Sequence, residues 1–340
     1  MNIISDFAVF ITNDFPRPEL IKYSWKFPQS SDTKKDGEPK ITGTMKKWLE
    51  TCIEKPFLDK IPSDRPDCDE LKILELRHIV SQEHITLDTY MLANFVIKVW
   101  GGIRHNDVSK IKSYARAFNK DDCKSPIDKL NQPIPLSNQK KVFQWSPNSG
   151  ISSWSKVLAT ADPQNYFVYD ARIDAVLRLL WHFFALNKSL SEADFPFSTP
   201  SKSSNNRVLF IFDLLDKKLP SATKQDIEPY LQYCNLIKLL ASPSLNWIDK
   251  RSSKVLQQLT DLTHKNYSSY ETAVRRQLVE MTLFAILGND RPVLCKKNIN
   301  CKDKDERIKA CFKSNVYKNA HPWLKEKLTQ LQSSNLAHSI

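Results

Sequence analysis

The amino-acid sequence predicts an all-α protein, a multi-helix bundle, and three observations lead to this prediction. Apolar residues recur three and four positions apart through most of the chain, the spacing that places them on one face of an α-helix. Runs of alternating apolar and polar residues, which are typical of strands, are scarce. Glycine occurs only 6 times in 340 residues, so the glycine-rich phosphate loops of many α/β nucleotide-binding proteins are absent.

The predicted elements follow one another with polar loops between them. Residues 7–11, Phe-Ala-Val-Phe-Ile, are predicted as a short strand near the N-terminus. Helices are predicted over residues 69–82, 87–100, 108–119, 153–161, 171–187, 208–217, 224–241, 244–263, 270–287 and 323–332. Residues 1–140 differ in character from residues 141–340, which carry the candidate catalytic segment 146–187. Two domains and one continuous helical core both remain open.

Charge, hydropathy and cysteine content indicate the kind of partner and the compartment. Lys and Arg number 50 and Asp and Glu 38, a net charge of +12, which favours nucleic acid first and an anionic membrane surface second. No apolar run is long enough for a membrane span, and the N-terminus does not have the pattern of a signal peptide. The cysteines are odd in number, 7, and scattered, which is typical of reduced thiols in the cytoplasm.

Metal and cofactor sites are not predicted. Cys295, Cys301, Cys311 and His321 lie in the same part of the chain, but they form none of the tightly spaced ligand pairs of structural zinc. We therefore expect no metal and no cofactor.

The segment 146–181 is the most informative in the chain: SPNSGISSWSKVLATADPQNYFVYDARIDAVLRLLW. A polar turn at Gly150 precedes a short helix, for which Ser152 or Ser153 is the candidate cap. Asp162-Pro163 should end that helix, since the residue before a proline avoids the helical conformation. Residues 166–169 should then be extended.

Asp170 is predicted to open the next helix. The predicted buried face of that helix is Ile173, Val176, Leu177, Leu180, Trp181 and Phe184. Arg172 and Arg178 flank it and are expected to face solvent or a phosphate. An aspartate at this junction is either a plain helix cap or a catalytic carboxylate at the positive end of the helix. Asp174, one turn further on, competes with Asp170 for the catalytic role.

These residues resemble the catalytic segment of the helix-hairpin-helix DNA glycosylase superfamily. Val168-Tyr169-Asp170, followed by an apolar stripe and Arg178, is similar to the family's hydrophobic-Asp-x-x-Val-x-Arg-Val-Leu pattern. Gly150 stands where the family has its hairpin glycine, and Lys156 where bifunctional members have a nucleophilic lysine. The sequence departs from the family in lacking the Leu-Pro-Gly-Val-Gly hairpin and in having a shorter spacing between Lys156 and Asp170.

The resemblance implies a bundle with a cleft that binds double-stranded DNA, and a monofunctional enzyme that hydrolyses an N-glycosidic bond. Asp170 would be the essential carboxylate, and Lys156 either a phosphate contact or a nucleophile. The implied DNA-binding residues are Gly150, Ser152, Ser153, Ser155, Lys156, Arg172 and Arg104. The target base must leave the duplex, and the residues implied to line its pocket are Trp154, Tyr166, Tyr169 and Trp100.

A narrower resemblance concerns the kind of base. Residues 152–156 (Ser-x-Trp-Ser-Lys), the Tyr-Asp-x-Arg of residues 169–172 and the Trp-Gly-Gly-Ile-Arg of residues 100–104 are similar to a bacterial branch of the superfamily that acts in phage defence. This implies excision of a bulky modified cytosine, such as glucosylated hydroxymethylcytosine, from phage DNA, with no obligate protein partner. The alternative is a basic helical sensor or adaptor that binds nucleic acid without catalysis.

Overall fold

A computed structural model describes residues 2–21, 68–82, 151–191, 194–197, 215, 228–287, 308–309, 312–313, 317 and 321–337. Within these ranges the chain forms helices and no strand, so the predicted all-α class is confirmed. The α-helices are α1 (Ile3–Asp14), α2 (Cys68–Gln82), α3 (Ile151–Ala161), α4 (Ala171–Lys188), α5 (Glu228–Leu240), α6 (Asp249–Thr263), α7 (Glu271–Ala285) and α8 (Pro322–Ala337). None of these described helices is long and apolar enough to cross a bilayer.

The predicted strand at residues 7–11 is wrong, because these residues belong to α1. The side chain of Asn2 accepts a hydrogen bond from the Ile4 backbone N–H at 3.1 Å and so caps the helix. The buried residues of α1 are Ile4, Phe7, Ala8 and Ile11, which have helical spacing, while Val9 is 48% exposed. A short apolar run does not by itself distinguish a strand from a buried helix, and the cap and the neighbouring helices decide the outcome here.

The predicted helix at residues 171–187 is confirmed as α4, which ends one residue later than expected. All six residues of its predicted apolar face are buried. Trp181 and Phe184 pack against Phe7 of α1, with both ring centroids 5.2 Å from the Phe7 centroid. The α1–α4 contact is therefore an aromatic cluster, and Phe197 extends it from the chain that follows α4.

Helix α7 packs against α2, α4, α5 and α6 and lies at the centre of the described core. The predicted helix 244–263 is divided in two, because a 3-10 helix (Pro243–Leu245) precedes α6. The predicted helices 87–100 and 108–119 lie outside the described residues, as does all of 208–217 except Leu215.

Helix α2 is attached to the C-terminal helices through buried polar contacts. Arg77 forms an ion pair with Glu280 of α7 at 3.0 Å, and Glu70 forms one with Arg251 of α6 at 2.7 Å. Buried ion pairs need good geometry and further hydrogen bonds to offset the loss of hydration, and Arg251 also donates to the carbonyl oxygens of Pro18 and Ile21. The described helices on both sides of residue 140 contribute to one buried cluster, while the predicted division at that point stays a prediction.

Candidate functional site

The connection between α3 and α4 is a tight turn followed by an irregular segment. Helix α3 ends at Ala161, as Asp162-Pro163 predicted. The Asp162 carboxylate accepts hydrogen bonds from the backbone N–H of Asn165 at 3.2 Å and from its side-chain amide at 3.0 Å. Helix α3 already includes Ile151, so the predicted cap at Ser152 or Ser153 is wrong and both residues lie inside the helix.

Side chains, not a neighbouring strand, satisfy the backbone of residues 167 and 168. The Tyr230 hydroxyl donates to the Phe167 carbonyl at 2.9 Å, and the Tyr233 hydroxyl donates to the Val168 carbonyl at 2.8 Å. The Val168 N–H donates to Oε2 of Glu280 at 2.9 Å. Buried backbone polar groups must find partners, and here helices α5 and α7 supply them. The segment that leads into Asp170 is therefore held from two sides.

Two hydrogen bonds between the Ser155 side chain and the Tyr169 backbone also fix this segment. The Tyr169 N–H donates to Oγ of Ser155 at 2.9 Å, and that Oγ–H donates back to the Tyr169 carbonyl at 3.3 Å. Both side chains are buried, as is that of Tyr166. Contact of Ser155 with DNA, and of Tyr166 or Tyr169 with a flipped base, therefore stays a prediction that would require this packing to open.

Asp170 is the N-cap of α4, so the predicted cap is confirmed. Its Oδ1 accepts hydrogen bonds from the backbone N–H groups of Arg172 at 2.9 Å and Ile173 at 3.2 Å. The side chain is half-buried. Among the residues that the structure describes, none donates a hydrogen bond to Oδ2. Oδ1 thus caps the helix, and Oδ2 accepts no hydrogen bond from the described residues, so a cap and a catalytic carboxylate are compatible roles for Asp170.

Lys156 lies in the same electrostatic environment as Asp170. It is 4% exposed, and its Nζ donates to the Ser152 carbonyl at 2.6 Å. Burial lowers the pKa of Lys156, and the carboxylates of Asp170 and Glu280 act in the opposite direction. The fold therefore brings together the lysine and the aspartate that the sequence analysis selected.

The Asp174 carboxylate forms its hydrogen bonds inside the core. It is 2% exposed, and its Oδ1 accepts hydrogen bonds from the Tyr169 hydroxyl at 2.9 Å and from Nε of Arg178 at 3.1 Å. Burial raises its pKa to about 6, against the opposing effects of Arg178 and the Tyr169 hydrogen bond. Of the two competing carboxylates, Asp170 is the more accessible.

The two arginines of α4 have different environments. The Arg178 side chain is 11% exposed and stacks over the ring of Phe195 at 4.1 Å, so the prediction that it faces solvent or a phosphate is wrong. Its ion pair with the buried Asp174 draws it inward. The Arg172 guanidinium lies over the Phe284 ring at 4.6 Å, and its buried Nη1 has no hydrogen-bond partner in the part of the chain that the structure describes.

Several predicted residues are not described. Gly150, Arg104 and Trp100 lie outside the described residues, and for Ser153 and Trp154 only the backbone in α3 is described. Of the cysteine and histidine group, only His321 is described. Its Nδ1 accepts a hydrogen bond from the Trp323 N–H at 3.2 Å. Across the described ranges no group of three acidic, histidine or cysteine residues is placed to hold a metal ion.

Glu280, Tyr230 and Tyr233 are the site-building residues that the sequence analysis missed. They are separated from the segment they hold by 112, 63 and 65 residues. Each lies on an amphipathic helix, and the neighbouring sequence does not indicate which distant backbone group a buried polar residue will bind.

Comparison with known proteins adds no family. No protein-family model, no curated protein and no solved structure matches the chain.

Proposed function

We propose that the protein is a DNA glycosylase of the helix-hairpin-helix type, which hydrolyses the N-glycosidic bond of a modified base and leaves an abasic site. The arrangement around Asp170 carries the proposal. Asp170 caps α4 through Oδ1, its Oδ2 accepts no hydrogen bond from any described residue, and the charge of Lys156 is close enough to interact with it.

The chemistry requires a carboxylate that is held rigidly and carries charge. Breaking an N-glycosidic bond develops positive charge on the sugar, as in other glycosyl transfers. A preorganised carboxylate beneath the deoxyribose stabilises that charge and can orient the attacking water. In the proposed mechanism Oδ1 keeps its two backbone hydrogen bonds, and Oδ2 is the oxygen that acts on the sugar and water.

Lys156 supports a monofunctional enzyme in this proposal. A lysine nucleophile must be neutral and must reach the sugar carbon. Burial lowers the pKa of Lys156, but its Nζ is bound to the Ser152 carbonyl and its side chain is buried, which opposes attack on the sugar. In the proposed mechanism Lys156 therefore contributes charge beside Asp170, and water attacks the sugar.

The proposed partner is double-stranded DNA, and the net charge of +12 supports a polyanionic ligand. Within this proposal the base is a bulky modified cytosine, such as glucosylated hydroxymethylcytosine in phage DNA, and the reaction takes place in the cytoplasm. The scattered, odd-numbered cysteines support that compartment. No obligate protein partner is proposed.

The test compares two isosteric variants on DNA that carries modified or unmodified cytosine. Asp170→Asn keeps an oxygen that can accept the Arg172 and Ile173 N–H groups but removes the charge, so alkali-sensitive strand breaks should fall by about 10²–10³-fold. Asp174→Asn is the matched control on the same helix and should retain the breaks. Undiminished breaks in Asp170→Asn would overturn the assignment. Breaks that form without alkali and disappear in Lys156→Gln would make the enzyme bifunctional.

The burial of Ser155, Tyr166 and Tyr169 favours a second candidate, a basic sensor or adaptor that binds nucleic acid without catalysis. The same assay separates the two functions. A gel-shift measurement that detects DNA binding, combined with no base released from any DNA by the wild-type protein, would support the adaptor.

A further inference from the structure

We propose that Glu280 is a positioning residue for Asp170, which it acts on through the backbone of Val168. This inference rests on the proposed function, because it assigns Glu280 to the same glycosylase site. No feature of the sequence near Asp170 points to Glu280, which lies on α7.

Glu280 connects three parts of the fold. Its Oε2 accepts the Val168 N–H at 2.9 Å, and its carboxylate accepts two hydrogen bonds from Arg77 of α2, to Oε1 at 3.0 Å and to Oε2 at 3.4 Å. Arg77 also donates to Gln277, one turn before Glu280, at 3.2 Å. Glu280 is 4% exposed. A carboxylate held by a buried guanidinium is a rigid acceptor, and a charged acceptor binds a backbone N–H more strongly than a neutral one.

The hold on Val168 extends directly to Asp170. Tyr233 fixes the Val168 carbonyl, and Ser155 fixes both backbone groups of Tyr169, the one residue between Val168 and Asp170. The Asp170 carboxylate therefore has little freedom to shift unless Val168 shifts. Of the three residues that bind this segment, Glu280, Tyr233 and Ser155, Glu280 is the one that also forms an ion pair.

The electrostatics of the site give Glu280 a second effect. The carboxylates of Glu280 and Asp170 both raise the pKa of Lys156 against the larger effect of burial. Glu280 thus influences both members of the Asp170–Lys156 pair without touching a substrate.

The experiment uses the full chain with Glu280→Gln. Glutamine has nearly the same shape and can still accept the Val168 N–H, but it removes the ion pair with Arg77. We expect kcat for base release to fall about tenfold with KM unchanged, the factor for weakening one hydrogen bond to a charged group. Amide hydrogen exchange at Arg172 and Ile173, the two donors to Asp170, should speed up about tenfold more than exchange at Leu180 in the middle of α4, which reports the loss of global stability that follows from leaving Arg77 unpaired.

Tyr270→Phe is the matched control. It removes a buried hydroxyl that accepts a hydrogen bond from Gln277 at 2.9 Å, at the far end of the same polar network. This variant should lose stability without faster exchange at Arg172 and Ile173. Should Glu280→Gln not fold, the double variant Arg77→Met/Glu280→Gln removes both charges together, and it should show the same faster exchange at the two amides.

Two outcomes overturn the inference. Unchanged exchange at Arg172 and Ile173 in a folded variant would mean that Glu280 does not hold Asp170. Equal acceleration at Leu180 would mean that Glu280 only stabilises the fold. If the wild-type protein releases no base from any DNA, the proposed function fails, and the exchange measurement still decides whether Glu280 positions Asp170.

Discussion

Asp174 provides the sharpest test of the electrostatics around the site. Its carboxylate is buried, and it is bound by the Tyr169 hydroxyl and by the Arg178 guanidinium. Burial raises its pKa from the ordinary value of 3.8 to about 6. Replacing it by asparagine keeps the shape and removes the titration.

The direction of the pH effect follows from the raised pKa. The folded protein favours the protonated carboxyl more than the unfolded chain does, so this group contributes its full stability only below about pH 4. That contribution is lost as the pH rises through about 6. A pKa difference of about two units corresponds to about 3 kcal/mol.

The measurement is the free energy of unfolding by urea, for wild type and Asp174→Asn, at several values between pH 4 and pH 7. The stability of wild type relative to the variant should fall by about 2.4 kcal/mol across that range, because at pH 4 the unfolded chain is already partly ionised. Tyr169→Phe removes a donor that lowers the Asp174 pKa, so it should move the transition to higher pH. A difference between wild type and Asp174→Asn that is flat, or that rises with pH, would refute the proposed burial and protonation of Asp174.

Four further predictions concern other parts of the molecule. Asp170→Ala should lower the free energy of unfolding by about 1 kcal/mol through loss of the cap, while Asp170→Asn should retain most of it; equal losses in urea denaturation would contradict the cap. Arg251→Met should cost about 3–5 kcal/mol, since it leaves the buried Glu70 without its ion pair, and a loss below about 1 kcal/mol would argue against this contact. Phe7→Ala should cost about 3–5 kcal/mol and lower Tm, because it opens a cavity in the aromatic cluster; an unchanged Tm would count against that packing. NMR titration of Lys156 should give a midpoint below the ordinary 10.5, and a higher midpoint would mean that the lysine is solvated or more strongly paired.

Local features of the sequence predicted α4 and its start well. The spacing of the apolar residues from Ile173 to Phe184 defines one helical face, and all of these residues are buried. Asp170 follows a non-helical segment and can accept the N–H groups of the first turn, which is the chemistry of an N-cap. Both features depend on residues close together in the chain, so tertiary contacts were not needed to infer them.

The sequence-based predictions were wrong where a short run was apolar at every position and where a charged residue was buried. The run at residues 7–11 is compatible with a strand or a helix, and the helix prevails because Phe7 and Ile11 reach the same core. Arg178 looked like a solvent-facing residue, but its pairing with Asp174 in the core overrides that expectation.

The sequence by itself determined that the chain is helical, that a helix begins at Asp170, and which face of that helix is apolar, because these properties follow from residue spacing and capping. Only the tertiary structure decided that Lys156 shares the electrostatic environment of Asp170, that Asp174 is buried, and that Glu280 holds Val168 from 112 residues away. Partners so distant in the chain are chosen by helix packing and by the need to satisfy buried polar groups. The sequence therefore predicts that Asp170 caps a helix. The proposal that it is a catalytic carboxylate depends on Lys156 and Glu280, which only the folded structure brings near it.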